Sequence, residues 1–224
     1  MICKSLRNVP EAKFNLMLSE LNDANENKNI VFRKAYTKYF EANIPIIYWN
    51  LHMSKFNGDK SLNELYNSLT LDIKETYKSG KALCFAGGFG RGKTMTVTNI
   101  LKRASEKGYS ALYVTLNDII SAVFSDEAYA ARKELLTVDF LVIDEFDSRH
   151  IPNSTTSIDF FARTIEDVFR TRLQNAMPLY LCTNSPNPLE AFKGSLKESI
   201  TSLWHHVEMV PVVGKDFRKE GIKN

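Results

Sequence analysis

One eight-residue run, Gly87-Gly88-Phe89-Gly90-Arg91-Gly92-Lys93-Thr94, limits what this chain can fold into more than any other feature. An apolar run at residues 82–86 precedes it and a helical pattern at 93–107 follows, so the octapeptide is the turn between a buried strand and a helix. Its glycines let the backbone wrap closely with N–H groups turned inward, and the start of the following helix adds positive potential. A cradle of this kind suits a phosphate chain. Lys93 then reaches the β- and γ-phosphates and the Thr94 hydroxyl ligates Mg²⁺, which makes Gly87, Gly88, Phe89, Gly90, Arg91, Gly92, Lys93 and Thr94 the binding candidates and ATP with Mg²⁺ the implied ligands. Arg91 is read as a bystander beside the phosphates.

The rest of the chain fits a fold that can carry such a turn. From Ser61 onward helices and strands alternate, which argues for an α/β domain with a mainly parallel sheet. Strands are predicted at 82–86, 111–116, 140–143 and 179–183, with a fifth at 206–213. Helical patterns lie at 93–107, 118–136 and 158–174, and Ser61 with Glu64 reads as a capping box opening another. The first part of the chain carries helical patterns only: residues 11–23, with Phe14, Met17, Leu18 and Leu21 on one stripe, and residues 31–42, which Pro45 would end. Residues 1–42 are therefore expected to be a helical appendage and 43–224 the α/β domain.

Two further strand ends carry chemistry. Phe140-Leu141-Val142-Ile143 runs into Asp144-Glu145, about fifty residues after the glycine-rich turn. Asp144 is suited to hold Mg²⁺ through water, and Glu145 to orient and deprotonate an attacking water. In the fold family that such a loop suggests, this strand lies beside the strand of the phosphate loop. The 179–183 run ends in Asn184, a candidate to hold the lytic water or the γ-phosphate. Asn184-Ser185-Pro186-Asn187-Pro188 is also turn chemistry, and both readings hold together.

Bulk properties narrow the setting. A formal charge of +3 permits contact with nucleic acid without arguing for it. No stretch approaches the roughly 20 apolar residues of a membrane helix, and the first ten residues lack a signal-peptide core, so a cytoplasmic protein is expected. Cys3, Cys84 and Cys182 have neither metal-ligand nor disulfide spacing.

With these motifs in place, residues 44–218 resemble the AAA+ domain of the DnaC-like helicase loaders of bacteria and phages, a group that includes the IstB transposition ATPases. The matching segments are Ile44-Pro45-Ile46-Ile47-Tyr48-Trp49 with Gly58-Asp59, the Leu-Val-Ile-Asp-Glu-Phe run, Cys-Thr-Asn-Ser-Pro, and Gly214-Lys215-Asp216-Phe217-Arg218. The resemblance implies an AAA+ P-loop fold with a parallel five-stranded sheet and no C-terminal helical lid, Asn184 as sensor 1, and Arg218 as the sensor 2 arginine at the γ-phosphate. It also implies a hexameric replicative DNA helicase bound by the N-terminal segment, single-stranded DNA contacted near residues 118–136, and assembly with itself or on the helicase. One position departs: the family places an arginine for the neighbouring subunit's ATP before the last strand, whereas this chain has Leu196-Lys197-Glu198-Ser199-Ile200-Thr201-Ser202-Leu203. Arg163, Arg170 and Arg172 are candidate substitutes. The alternatives are a transposition ATPase acting on duplex DNA, a small-molecule kinase, and a nucleotide-binding switch with little hydrolysis.

Overall fold

The computed structural model describes residues 3–21, 26–147, 155–191 and 194–217. β-branched and aliphatic runs form five strands: β1 (Ala82–Ala86), β2 (Ala111–Thr115), β3 (Phe140–Asp144), β4 (Leu179–Thr183) and β5 (Val207–Pro211). All pair in parallel, in the order β2-β3-β4-β1-β5. β1, β3 and β4 are buried at every position, as strands covered on both faces must be. The strand carrying Asp144 does not lie beside the phosphate-loop strand, because β4 sits between them. Asn184, at the tip of β4, is thereby placed between the two.

Strand periodicity divides the interior. Leu112, Val114, Leu141, Ile143 and Leu181 face one side, where α6 (Leu116–Val123), α7 (Ala128–Thr137), α8 (Thr155–Gln174) and α9 (Gly194–Thr201) pack. Leu83, Phe85, Tyr113, Val142 and Tyr180 face the other, against α5 (Lys93–Glu106) with α1 (Glu11–Glu20), α2 (Glu26–Glu41), α3 (Lys60–Leu71) and α4 (Ile73–Ser79). The result is a three-layer α/β fold.

The N-terminal helices belong to this core. Phe14 stacks on Phe40 at 4.1 Å, and Tyr36 and Tyr39 pack around Trp49, whose indole N–H donates to the Ile44 carbonyl at 2.7 Å. Leu6 is buried on one face of the sheet and Val9 on the other, so the first segment wraps around the β2 edge. Asn43 fastens that wrap. Its amide N–H groups donate to the carbonyls of Leu6 and Tyr113, and its side-chain oxygen accepts from the backbone N–H of Asn8. The Tyr113 N–H in turn donates to Ala42 O at 2.9 Å, which seals the free edge of β2.

Several boundaries differ from expectation, each for a local reason. α2 ends before Pro45 acts: Asn43 takes a left-handed conformation (φ 55°), and Ile44 N–H bonds back to Tyr39 O in a Schellman closure. α3 is capped by Asp59, whose carboxylate accepts from Ser61 N–H, so the Ser61–Glu64 capping box is not what starts it. The expected helix at 118–136 is two helices, opened by a Thr115–Asp118 capping box and broken where the Ser125 hydroxyl turns back to Ala122 O. α4 carries no strong sequence signal and is capped by Asp72. After β5 no further helix follows among the described residues. None of the described helices is long and apolar enough to cross a membrane.

Candidate functional site

Parallel strands end together, and the ends of β1, β3 and β4 form the floor of a cleft of about 330 Å³. Crevices at strand carboxyl ends are where open α/β sheets bind ligands. The glycine-rich turn leaves β1 here. Gly92 lies at φ 94° and opens α5, a conformation that side-chain-bearing residues rarely adopt. Gly87 runs so close to β5's continuation that a Cβ would lie 2.2 Å from the Val212 carbonyl oxygen. Phe89 is exposed at the rim. The Arg91 guanidinium donates to Val212 O at 3.2 Å, so this residue ties the loop to the C-terminal segment.

Lys93 is buried and its ammonium is held at the base of the loop, donating to Gly87 O (2.6 Å), Gly88 O (2.8 Å) and the Asn184 side-chain oxygen (2.9 Å). Asn184 thus shares a contact with the lysine and also begins a turn, in which Ser185 N–H bonds to the Thr183 hydroxyl. Both sequence readings of that residue are compatible with this geometry.

The acidic pair divides in character. Asp144 is buried, and every described neighbour at hydrogen-bond distance is a donor: the Thr94 and Tyr113 hydroxyls to Oδ2, both at 2.8 Å, and the Glu145 N–H to Oδ1 at 2.7 Å. Thr94 and Asp144 therefore form a compact oxygen set of the kind Mg²⁺ takes through one or two protein groups plus water and phosphate. Glu145 is exposed at the cleft with φ 51°. The turn there directs Phe146 into the core, where its ring stacks on Trp204 at 6.2 Å. The strain of a left-handed non-glycine residue is about 1 kcal/mol.

Tyr113 is the site residue that the sequence reading missed. Burial, and then the charge of Asp144, push its phenol far above the ordinary tyrosine range, so it stays protonated and donates to Asp144. The available signal was the strand period: Tyr113 falls on the α5 face of β2, and a buried tyrosine hydroxyl needs a partner.

The open side of the cleft is apolar, with Tyr48, Leu51, Phe56 and Phe217. Phe56 and Phe217 pack at 5.5 Å, and Phe217 N–H donates to Gly90 O, so the C-terminal segment reaches the phosphate loop. Arg218 lies outside the described residues. Of the three candidate substitutes for the absent arginine, Arg172 is fully buried and donates to the carbonyls of Leu135, Val138, Asp139 and Pro178, which removes it from any surface. Arg170 pairs with Glu166 at 2.7 Å, and Arg163 is exposed. Ser202 and Lys197 are exposed on and beside α9.

This is the AAA+ P-loop fold, with an all-parallel five-stranded sheet. Among solved structures the chain is similar to DnaI (14% identity, TM-score 0.62, covering 77% of this chain and 93% of that one) and to the DnaC helicase loader (17%, 0.58, 75% and 100%). It is also similar to the replication initiator DnaA bound to AMPPCP and single-stranded DNA (16%, 0.58, 77%), of which it spans about half, 51%. No family model and no curated protein sequence matches the chain.

Proposed function

We propose that this protein is an ATP-driven loader of a hexameric replicative DNA helicase, assisting its placement on single-stranded DNA in the cytoplasm. The observation that carries the proposal is the convergence of Lys93, Thr94, Asp144, Glu145 and Asn184 on one cleft, in a fold shared over nearly the full length of DnaI and the DnaC helicase loader. The loop N–H groups and the α5 start would hold the phosphates, and Thr94 and Asp144 would hold Mg²⁺, whose charge would offset that of the phosphates. Glu145 takes the proton of the attacking water, Asn184 orients that water, and Lys93 balances the charge developing on the γ-phosphate. Arg218, in the segment beyond Phe217, is assigned the sensor 2 role.

Two surfaces support the partner assignments. Leu16, Ile30, Val31 and Phe32 of α1 and α2 are exposed large apolar residues on the N-terminal helices, which suits a helix-in-groove contact with the helicase. Phe124 and Tyr129, 50% and 79% exposed around the α6–α7 break, offer stacking faces for single-stranded bases. Arg132 is paired with Asp167 at 2.6 Å, which leaves the aromatic rings as the stronger element there.

Purified protein with ATP and magnesium should retain the replicative helicase from a host lysate, and Val31→Asp should release it while ATP binding persists. Removing residues 1–42 is a poorer test, because Phe14, Tyr36 and Tyr39 are core residues. Glu145→Gln should keep ATP affinity and lower turnover by about 100-fold or more; unchanged turnover would remove Glu145 from the base role. A second reading, a nucleotide-binding switch with little hydrolysis, is favoured by one observation: α9 carries no arginine and Arg172 is committed to the interior. Phosphate release with and without the helicase separates the two.

A further inference from the structure

Asp144 is held from two sides. Thr94 approaches it from α5, as the glycine-rich motif anticipates, and Tyr113 approaches from β2, an element with no part in that motif. The two hydroxyls share Oδ2, while Oδ1 is taken by the Glu145 N–H. A carboxylate offers about four acceptor positions, so three donors fix its plane and leave little rotational freedom. With a metal bound, the Thr94 hydroxyl would have two tasks, a lone pair for the ion and its O–H for Asp144. Tyr113 has no such second task. Its ring is 5% exposed and packed in the α5-side core, and its backbone is pinned at both polar atoms, N–H to Ala42 O and C=O from the Asn43 amide. The phenol therefore stands on a rigid mount, as a group orienting a metal-binding carboxylate needs to.

We propose that Tyr113 is a positioning residue for the magnesium site: its hydroxyl fixes the Asp144 carboxylate and thereby sets the affinity for Mg²⁺ in the nucleotide complex. The inference rests on the nucleotide-site reading above. In this role Tyr113 acts through Asp144, which its hydroxyl contacts, and is not itself a metal ligand. Neighbours that orient metal ligands commonly alter metal affinity by about 10- to 100-fold when removed, and the lower end applies here because the Glu145 N–H still holds Oδ1.

The test is Tyr113→Phe, which keeps the ring and deletes the hydroxyl. Affinity for a fluorescent ATP analogue is measured in EDTA and then across a magnesium titration. Tyr113→Phe should match the parent in EDTA and need about tenfold more Mg²⁺ to reach half of the magnesium-dependent gain. A double-mutant cycle with Asp144→Asn guards against a general packing effect: once the carboxylate has been replaced by the amide, the tyrosine change should no longer move the midpoint. If the parent gains affinity with magnesium and Tyr113→Phe has the same midpoint, the role of Tyr113 is overturned and the nucleotide site stands. A parent that binds no ATP analogue, or gains nothing from magnesium, overturns the nucleotide-site reading and this role with it.

Discussion

Two buried lysines lie on α5, one at each end of the helix, and they teach different lessons. Lys93 at the first turn donates to Gly87 O, Gly88 O and Asn184; Lys102 near the last turn donates to the carbonyls of Tyr48 (2.9 Å), Trp49 (3.3 Å) and Leu51 (2.5 Å). Each is nearly inaccessible, at 7% and 3% exposure, and each satisfies its ammonium with three oxygens. Lys93 lies where the sheet ends converge and a phosphate chain has room. Lys102 clasps the loop that supplies Tyr48 and Leu51 to the apolar side of the same cleft, with the Tyr39 ring 5.6 Å away. In the proposed function one lysine is part of the chemistry, whereas the other is part of the frame around it.

The sharpest way to break this contrast is Lys93→Ala. It should weaken ATP binding by about 100-fold, the loss of charge-assisted contacts to phosphate, with a smaller loss of stability than at Lys102 because Lys93 lines the open cleft, where water can take up the freed oxygens. A variant that bound ATP as the parent does would place Lys93 in the frame with Lys102. The converse change, Lys102→Met, should lower unfolding free energy by about 2 kcal/mol, because three carbonyls lose a buried partner, and affect phosphate affinity far less. Urea unfolding reads this directly, and an unchanged midpoint would mean that the 48–51 loop is held by its apolar contacts alone.

pH provides the most selective probe. Burial pushes the Lys102 ammonium down to about 8 from its ordinary 10.5. Between those values the unfolded chain binds more protons than the folded one, so this residue's contribution to stability rises with pH. It is fully present above the unfolded value and lost as pH falls through about 8. The stability difference between parent and Lys102→Met should therefore widen from pH 8 to 10.5. A flat difference would show that the ammonium is not desolvated as its position implies.

The same contrast runs through the whole molecule. Four strands were readable as apolar runs and the fifth as an alternating one, and the strand–loop–helix around Lys93 was readable because its glycines, lysine and threonine have to be adjacent in sequence to make the loop. The Asp144-Glu145 strand end was readable by its spacing from that loop. Asn43, Tyr113 and Arg172 were not. Asn43 joins Leu6, Asn8 and Tyr113, Tyr113 reaches Asp144 on a neighbouring strand, and Arg172 gathers carbonyls from the α7–β3 connection and from Pro178. Arg172 reads as an ordinary charged helix position until the packing of α8 on that connection takes it out of water.

By itself the sequence determined the α/β alternation, the phosphate loop and the residue types gathered around it, since strand periodicity and loop geometry are written in neighbouring positions. Only the tertiary structure decided which strand lies between the loop and Asp144, that side chains of the described N-terminal helices complete the core, and which polar side chains gather around Asp144. Those outcomes depend on groups that meet from distant parts of the chain, where the gain of a buried hydrogen bond or an apolar contact arises only once the layers have closed.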